Sequence, residues 1–298
     1  MLKRLLALVA VPMALSAQQG MDTITVRAEA VRGGVYVLFG SGGNIGLSTG
    51  SDAAFVVDDQ FAPLSQKIIA AIATVTPLPV KFVINTHWHG DHVGGNENFA
   101  RAGALIIAQD NVRKRMSTDQ FMEAMKRTVP ASPAGALPVV TFNDSTTFHL
   151  NGDDVVAFHV PPAHTDGDVI VHFTKANVFH MGDTYFTTGY PFIDVSSGGT
   201  VNGYITAADR VLVQCDANTR IIPGHGVVTD CAALKRWRDD IATMRDRVSA
   251  AMTPGKSLDQ IKAAKLLADF DARYNPSGKG FINADAFVEA VYRSLGGH

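Results

Sequence analysis

Ile84-Asn85-Thr86-His87-Trp88-His89-Gly90-Asp91-His92-Val93-Gly94-Gly95 is the stretch on which the reading of the whole chain turns. Residues 80–84 before it, apolar but for Lys81 and rich in β-branched residues, predict a buried strand, so the histidines leave at the strand's C-terminal end, where α/β folds place their sites. His87 and His89 are two residues apart in extended chain, and their imidazoles project to one side. Asp91 and His92, at the turn that follows, point to a neighbouring position. Neutral imidazoles with carboxylates suit zinc, and a mixed His/Asp set without thiolates suits catalysis better than a closed structural cage. At this chain's His and Asp frequencies the HxHxDH spacing has chance odds of roughly one in a thousand.

Working outward, three more segments offer ligands beside predicted strands: His164 in PPAHTDGD (161–168), Asp183 in MGDTYF (181–186) and His225 in PGHG (223–226). The full set is five histidines and two aspartates drawn from both halves of the chain. Both halves must therefore close on one cleft, which favours one domain over residues 18–298, with C-terminal helices from about residue 232. The scattered His149, His159, His172, His180 and His298 read as ordinary core or surface residues. Trp88, Tyr185, Tyr190 and Phe192 flank ligands and suit either a pocket wall or simple core packing.

Strands are expected at 23–28, 35–39, 54–57, 80–84, 104–108, 155–160, 169–173, 178–181 and 220–222, with a glycine-rich hairpin at Gly40, Gly42 and Gly43. Helices are expected around 68–73 and at 203–214, 232–251, 257–269 and 284–294, and the proline-rich 129–138 stretch is a loop. Strands and helices mixed in both halves define an α/β class with helices covering packed sheets. Residues 275–282 superficially suggest a calcium loop. That test fails, because Lys279 falls at the fifth ligand position and Ala286 where a bidentate glutamate is required, leaving a turn between packing helices.

The 298 residues are 46% hydrophobic and 18% charged with a formal charge of -2, enough for a large core but without a field to attract polyphosphate or an anionic membrane. A small-molecule substrate is expected, and nucleic acid is not. Residues 1–17 place Lys3 and Arg4 before a short apolar run that ends in Ser16 and Ala17, the layout of a secretory signal peptide. An exported protein, periplasmic or secreted, follows. The apolar run is shorter than the roughly 20 residues of a membrane span, and no later segment supplies one, so no membrane association is expected after leader removal. Cys215 and Cys231 could pair in that compartment; with no Cα separation to judge by, two buried thiols is the preferred reading.

From THWHGDHVGG through PPAHTDGD, MGDTYF and PGHG, in that order and spacing, the chain resembles the metallo-β-lactamase superfamily over roughly residues 30 to 230. The resemblance implies a four-layer αβ/βα sandwich with the site along one edge. It implies two metal ions, zinc foremost with other divalent metals possible. His87, His89 and His164 would hold the first, Asp91, His92 and His225 the second, and Asp183 would bridge them. Asp58 looks like the family's first-motif aspartate, which orients a ligand imidazole. Two divalent ions against Asp91, Asp183 and a bridging hydroxide leave a net +1, which favours a hydroxide nucleophile near neutral pH attacking a carbonyl.

Asp183 stands where glyoxalase II-like, lactonase-like and phosphodiesterase-like members carry an aspartate. The best-known β-lactamase subclass has a cysteine there and a nearby lysine, both missing from GDTYF. Penicillins and carbapenems are accordingly expected to be slow substrates beside an ester, lactone or thioester, with β-lactamase activity as the alternative. Ala163 and Asp168 depart from the glyoxalase II-like PGHTxGH, which argues against glutathione thioesters. An iron-dependent sulfur or oxygen redox enzyme is the rival class. Its family members have an incomplete ligand set or a glutamate near the second histidine, whereas both sets are complete here and His89 stands at that position.

Overall fold

A computed structural model describes residues 20–252 and 256–297; the leader and His298 lie outside them. The first sheet holds β1 (Arg27–Arg32), β2 (Val35–Phe39), β3 (Ile45–Ser48), β4 (Ala54–Val57), β5 (Val80–Ile84) and β6 (Leu105–Gln109). A separate hairpin, β7 (Gln120–Met122) and β8 (Arg127–Val129), precedes β9 (Val140–Phe142), which completes that sheet. The second sheet runs in chain order through β10 (Ser145–Leu150), β11 (Asp153–His159), β12 (Val169–Phe173), β13 (Val178–His180) and β14 (Arg220–Ile222). In the first sheet β1 to β4 are antiparallel and β4, β5, β6 and β9 parallel.

Strands such as Ala54–Val57, buried at every residue, are apolar throughout because both faces of their sheet are covered. Val37, Phe55, Val57 and Ile84 of one sheet meet Val155, Val171, Phe173 and Ile222 of the other. The first sheet's outer face packs on α1 (Ser65–Ala73) and, after the short α2 (Gly90–Val93), on α3 (Asn96–Arg101) through Ile68, Ile72 and Phe99. Beyond α4 (Asp110–Met116), the second sheet is covered by α5 (Val201–Leu212), α6 (Cys231–Met252) and α7 (Leu258–Ala263). Further on, α8 (Asp271–Tyr274) precedes α9 (Ala284–Ser294) on the same side. Helix, sheet, sheet and helix make the four layers that the family resemblance implies.

Several local expectations are corrected. The first strand begins at Arg27, because pairing of Arg27 with Phe39 sets its register, while Ile24 and Val26 pack beneath it. Strands β3, β7, β8 and β9, of three or four residues each, are too short to carry a periodic signal and were not anticipated, nor was the six-residue β10, whose polar Ser-Thr-Thr start hides its alternation. The 129–138 loop contains one 3₁₀ turn at Ala134–Ala136. A helix over 257–269 stops at Ala263, since Lys265 adopts φ 49°, a left-handed conformation that breaks the ladder. Cys215 and Cys231 are a disulfide, not two thiols: α5 and α6 pack side by side and bring their Cα atoms to 6.0 Å. Closing a loop of 16 residues stabilises the fold by about 3 kcal/mol on a chain-entropy basis.

Candidate metal centre

The chain reaches the site at the ends of five strands. β11 and β13 both lie antiparallel to β12, and β14 lies parallel to β13, so the loops after β11, β13 and β14 emerge on one edge with His164, Asp183 and His225. The loops after β4 and β5 bring Asp58 and the segment from Thr86 to His92. Asp58 sits at φ 63°. Its carboxylate accepts from the backbone N–H and the hydroxyl of Thr86, both at 2.7 Å, and lies 2.7 Å from His92 Nδ1. One buried carboxylate thus ties the strand exit to a ligand. The His164 loop is tied likewise: Asp168 accepts from the backbone N–H groups of His164 at 2.7 Å and Thr165 at 3.0 Å, and burial pushes its pKa up to about 7. Gly224 is required by close approach, because a Cβ there would lie 2.0 Å from Asp183 Oδ1.

All seven expected ligand residues converge. One group is His87, His89 and His164; a second is His87, His92 and Asp183; a third is Asp91, His92 and His225, with ligand atoms within 4.8 Å of one another in each. Asp183 divides its two oxygens between them. Oδ2 lies 3.4 Å from His164 Nε2 and 3.8 Å from His87 Nε2, while Oδ1 lies 3.1 Å from His92 Nε2 and 3.4 Å from His225 Nε2. Asp91 Oδ2 is 3.3 Å from His225 Nε2.

The outward nitrogens are anchored elsewhere. His164 Nδ1 meets the Phe192 carbonyl at 2.6 Å, His89 Nε2 meets Asp194 at 3.0 Å, and His87 Nδ1 meets the Thr86 hydroxyl at 3.1 Å. His87 Nε2 and Asp183 Oδ1, both buried, have no hydrogen-bond partner. Buried polar atoms without partners are costly, and inward lone pairs braced from behind are the arrangement that divalent metal binding needs. The residues present fit such ions.

Charge follows the same division. Burial holds His87 well below the ordinary histidine range, assisted by His92 and His164, and brings His164 down to about 4. Burial opposes ionisation of Asp183, yet His92, His225 and His87 outweigh it and hold its carboxyl well below the carboxylate range. Burial also disfavours charge on His225, but Asp183 and Asp91 raise it to about 9. His87 and His164 therefore offer neutral lone pairs, while the second group concentrates carboxylate charge.

Above the centre lies a cavity of about 390 Å³. Trp88, Tyr190 and Phe192 line it. Tyr185 does not: it packs into the core at 5.1 Å from the Trp237 ring, and its hydroxyl accepts from Thr229. Met122, Met125, Arg127 and Val129 of the β7–β8 hairpin and Phe281 and Ile282 near the C terminus also line the cavity, none of which the motifs indicated. The 275–282 segment is thus a cavity wall as well as a turn. Asp194 was missed too. Its DVSS run signals an N-cap, which it is, accepting from Ser197 N–H; nothing local shows that the same carboxylate reaches His89.

The metallo-beta-lactamase superfamily profile matches residues 36–273, and the chain belongs to that superfamily. It is 29% identical over 164 residues to a hydroxyacylglutathione hydrolase from Nitrosococcus oceani, covering 55% of each chain. It is 24% identical over 143 residues to a metallo-beta-lactamase type 2 from Bacteroides fragilis, covering 48% of this chain and 52% of that one. These matches span about half the length of the curated relatives. A solved metallo-beta-lactamase from Pontibacter korlensis superposes with a TM-score of 0.59 at 17% identity, over 73% of this chain and 99% of that one.

Proposed function

We propose that the protein binds two divalent metal ions, zinc foremost, and hydrolyses an ester, lactone, thioester or lactam bond in a small molecule. The observation that carries this reading is the division of Asp183 between two histidine groups, with Oδ2 facing His164 and His87 and Oδ1 facing His92 and His225. His87, His89 and His164 would hold one ion, Asp91, His92 and His225 the other, and Asp183 both. Bound there, the ions would supply Lewis acidity toward a carbonyl oxygen and lower the pKa of water. Asp58 and Asp194 fix the tautomer and ring position of His92 and His89. The apolar cavity walls orient the substrate and limit access of bulk water.

Residues 18–298 are read as one domain, a reading supported by a site whose residues come from both sheets. Export is likewise proposed: the disulfide supports an oxidising compartment. No described helix is long and apolar enough to cross a membrane.

Metal analysis of zinc-saturated, dialysed protein lacking residues 1–17 is expected to return two ions per chain, and chelation to abolish turnover. A hydrolysis panel of lactams, lactones, thioesters, carboxylic esters and phosphodiesters then names the bond. One ion per chain, or turnover of phosphodiesters alone, would count against the proposal. Iron with oxygen consumption would replace it by the redox reading.

A further inference from the structure

Arg127 is the one lysine or arginine among the residues lining the cavity. Its guanidinium has no hydrogen-bond or ion-pair partner among the described residues. That is unusual in this molecule, where Arg115 pairs with Asp166, Arg238 with Asp209 and Arg247 with Asp269. An arginine that faces a largely apolar cavity and pairs with neither of the carboxylates lining it, Asp91 and Asp183 on the floor, is set for a partner that arrives with a ligand, since its planar fork binds a carboxylate through two hydrogen bonds.

The hairpin aims it there. β7 and β8 pair in the register Met122 with Arg127 and Phe121 with Thr128. Side chains alternate along a strand, so Met122, Arg127 and Val129 share one face, and all three line the cavity. Phe121, on the other face, is 59% exposed. Lys126, at φ 49°, makes the left-handed turn immediately before Arg127.

Contacts at its base keep the hairpin in place. Arg115 binds both Asp166 oxygens, at 2.6 and 2.8 Å, and Gln120 at 3.0 Å. The Ala131 N–H donates to Asp119 at 2.9 Å, and the Ser132 N–H to the Met116 carbonyl at 2.8 Å. The cation therefore belongs to an anchored element, with Trp88, Phe192 and Phe281 lining the same enclosure.

We propose that Arg127 is a specificity-determining residue that receives a substrate carboxylate, so that the substrates are acyl compounds with an apolar body and an anionic group away from the scissile bond. The inference rests on the hydrolase reading above and deepens it. It also supplies, from a distant part of the chain, the cation whose absence near Asp183 counted against lactams in the sequence.

The test pairs two esters matched in chain length, 4-nitrophenyl hydrogen glutarate with a free carboxylate and 4-nitrophenyl pentanoate without one, on the zinc-loaded protein. Arg127→Gln is expected to lose about 10-fold in kcat/KM on the glutarate ester, mainly through KM, and to leave the pentanoate ester unchanged, the size expected for a partly exposed charged hydrogen bond. Arg127→Lys should restore part of the loss. An equal loss on both esters would assign Arg127 to hairpin structure only, and no loss on either would remove it from recognition; both overturn the proposal.

A second arm keeps this outcome separate from the fate of the hydrolase reading. Calorimetry compares the corresponding anilides, which resist hydrolysis, on wild type and Arg127→Gln, with circular dichroism and zinc content as controls. If neither ester is turned over, the ester reading fails while the anilides still decide Arg127. Tighter binding of the carboxylate-bearing anilide that Arg127→Gln abolishes supports the role; unchanged binding overturns it.

Discussion

The floor and the roof of the cavity differ in how their side chains are held. On the floor, His87, His92 and His164 are at most 1% exposed, and each has its outward nitrogen braced by a neighbour. On the roof, Phe281 is 76% exposed and touches Phe192 edge-on at 5.9 Å, and Arg127 has no partner among the described residues. A floor restrained in this way preserves metal geometry, for which small displacements are costly. On the roof the hairpin is anchored at its base, but the side chains of Arg127 and Phe281 have few bonds of their own and are free to adapt to the substrate. Chemistry and selectivity should therefore respond differently to substitution.

The sharpest test is Asp183→Asn, which keeps the shape and removes a full charge from between the two proposed ions. The second zinc is expected to weaken by 10- to 100-fold or more, far beyond the first, with activity falling while far-UV circular dichroism stays native. Competition titration reads both affinities; if neither changes, Asp183 does not bridge and the floor is organised in another way.

Asp194→Asn probes the floor one step back. Asp194 holds His89 at 3.0 Å and accepts from Ser197 Oγ at 2.6 Å, and Ser197 Oγ in turn accepts from Trp88 Nε1 at 3.2 Å. Loss of its charge should weaken zinc by about 10-fold, at the low end for partners that orient ligands, because Asn keeps one acceptor. kcat should fall with it at limiting zinc and recover when zinc is raised. A rise in KM alone, with zinc binding intact, would move Asp194 from the floor to the roof.

The smallest effect is expected at Phe281→Ala. Removing one exposed edge-on aromatic contact should raise KM about 3-fold, leaving kcat and zinc content unchanged. If kcat fell as far as in Asp194→Asn, the division between a rigid floor and an adaptable roof would break down.

How much of this was legible in advance follows the same division. The HxHxDH stretch, His164, Asp183 and His225 were legible because each follows or precedes a strand by only a few residues, so local geometry nearly determines where the side chain points. The amphipathic helices α6 and α9 were legible by periodicity, and α9 begins and ends where expected. Tyr185 could not be assigned to pocket or core, because its neighbour Phe186 lines the cavity while it turns inward to Trp237. One residue of register separates the two fates.

By itself, then, the sequence determined the α/β class, the family and the set of residues from which a metal site can be drawn, because those depend on composition, periodicity and motifs only a few residues long. The tertiary structure alone decided which carboxylate braces His89, which oxygen of Asp183 faces which histidines, that Cys215 meets Cys231, and that Arg127 and Phe281 lie over the site. Each of these depends on a distance between segments far apart in the chain. Such distances are set by sheet register and by helix packing against the sheets, and they leave no trace in local residue spacing.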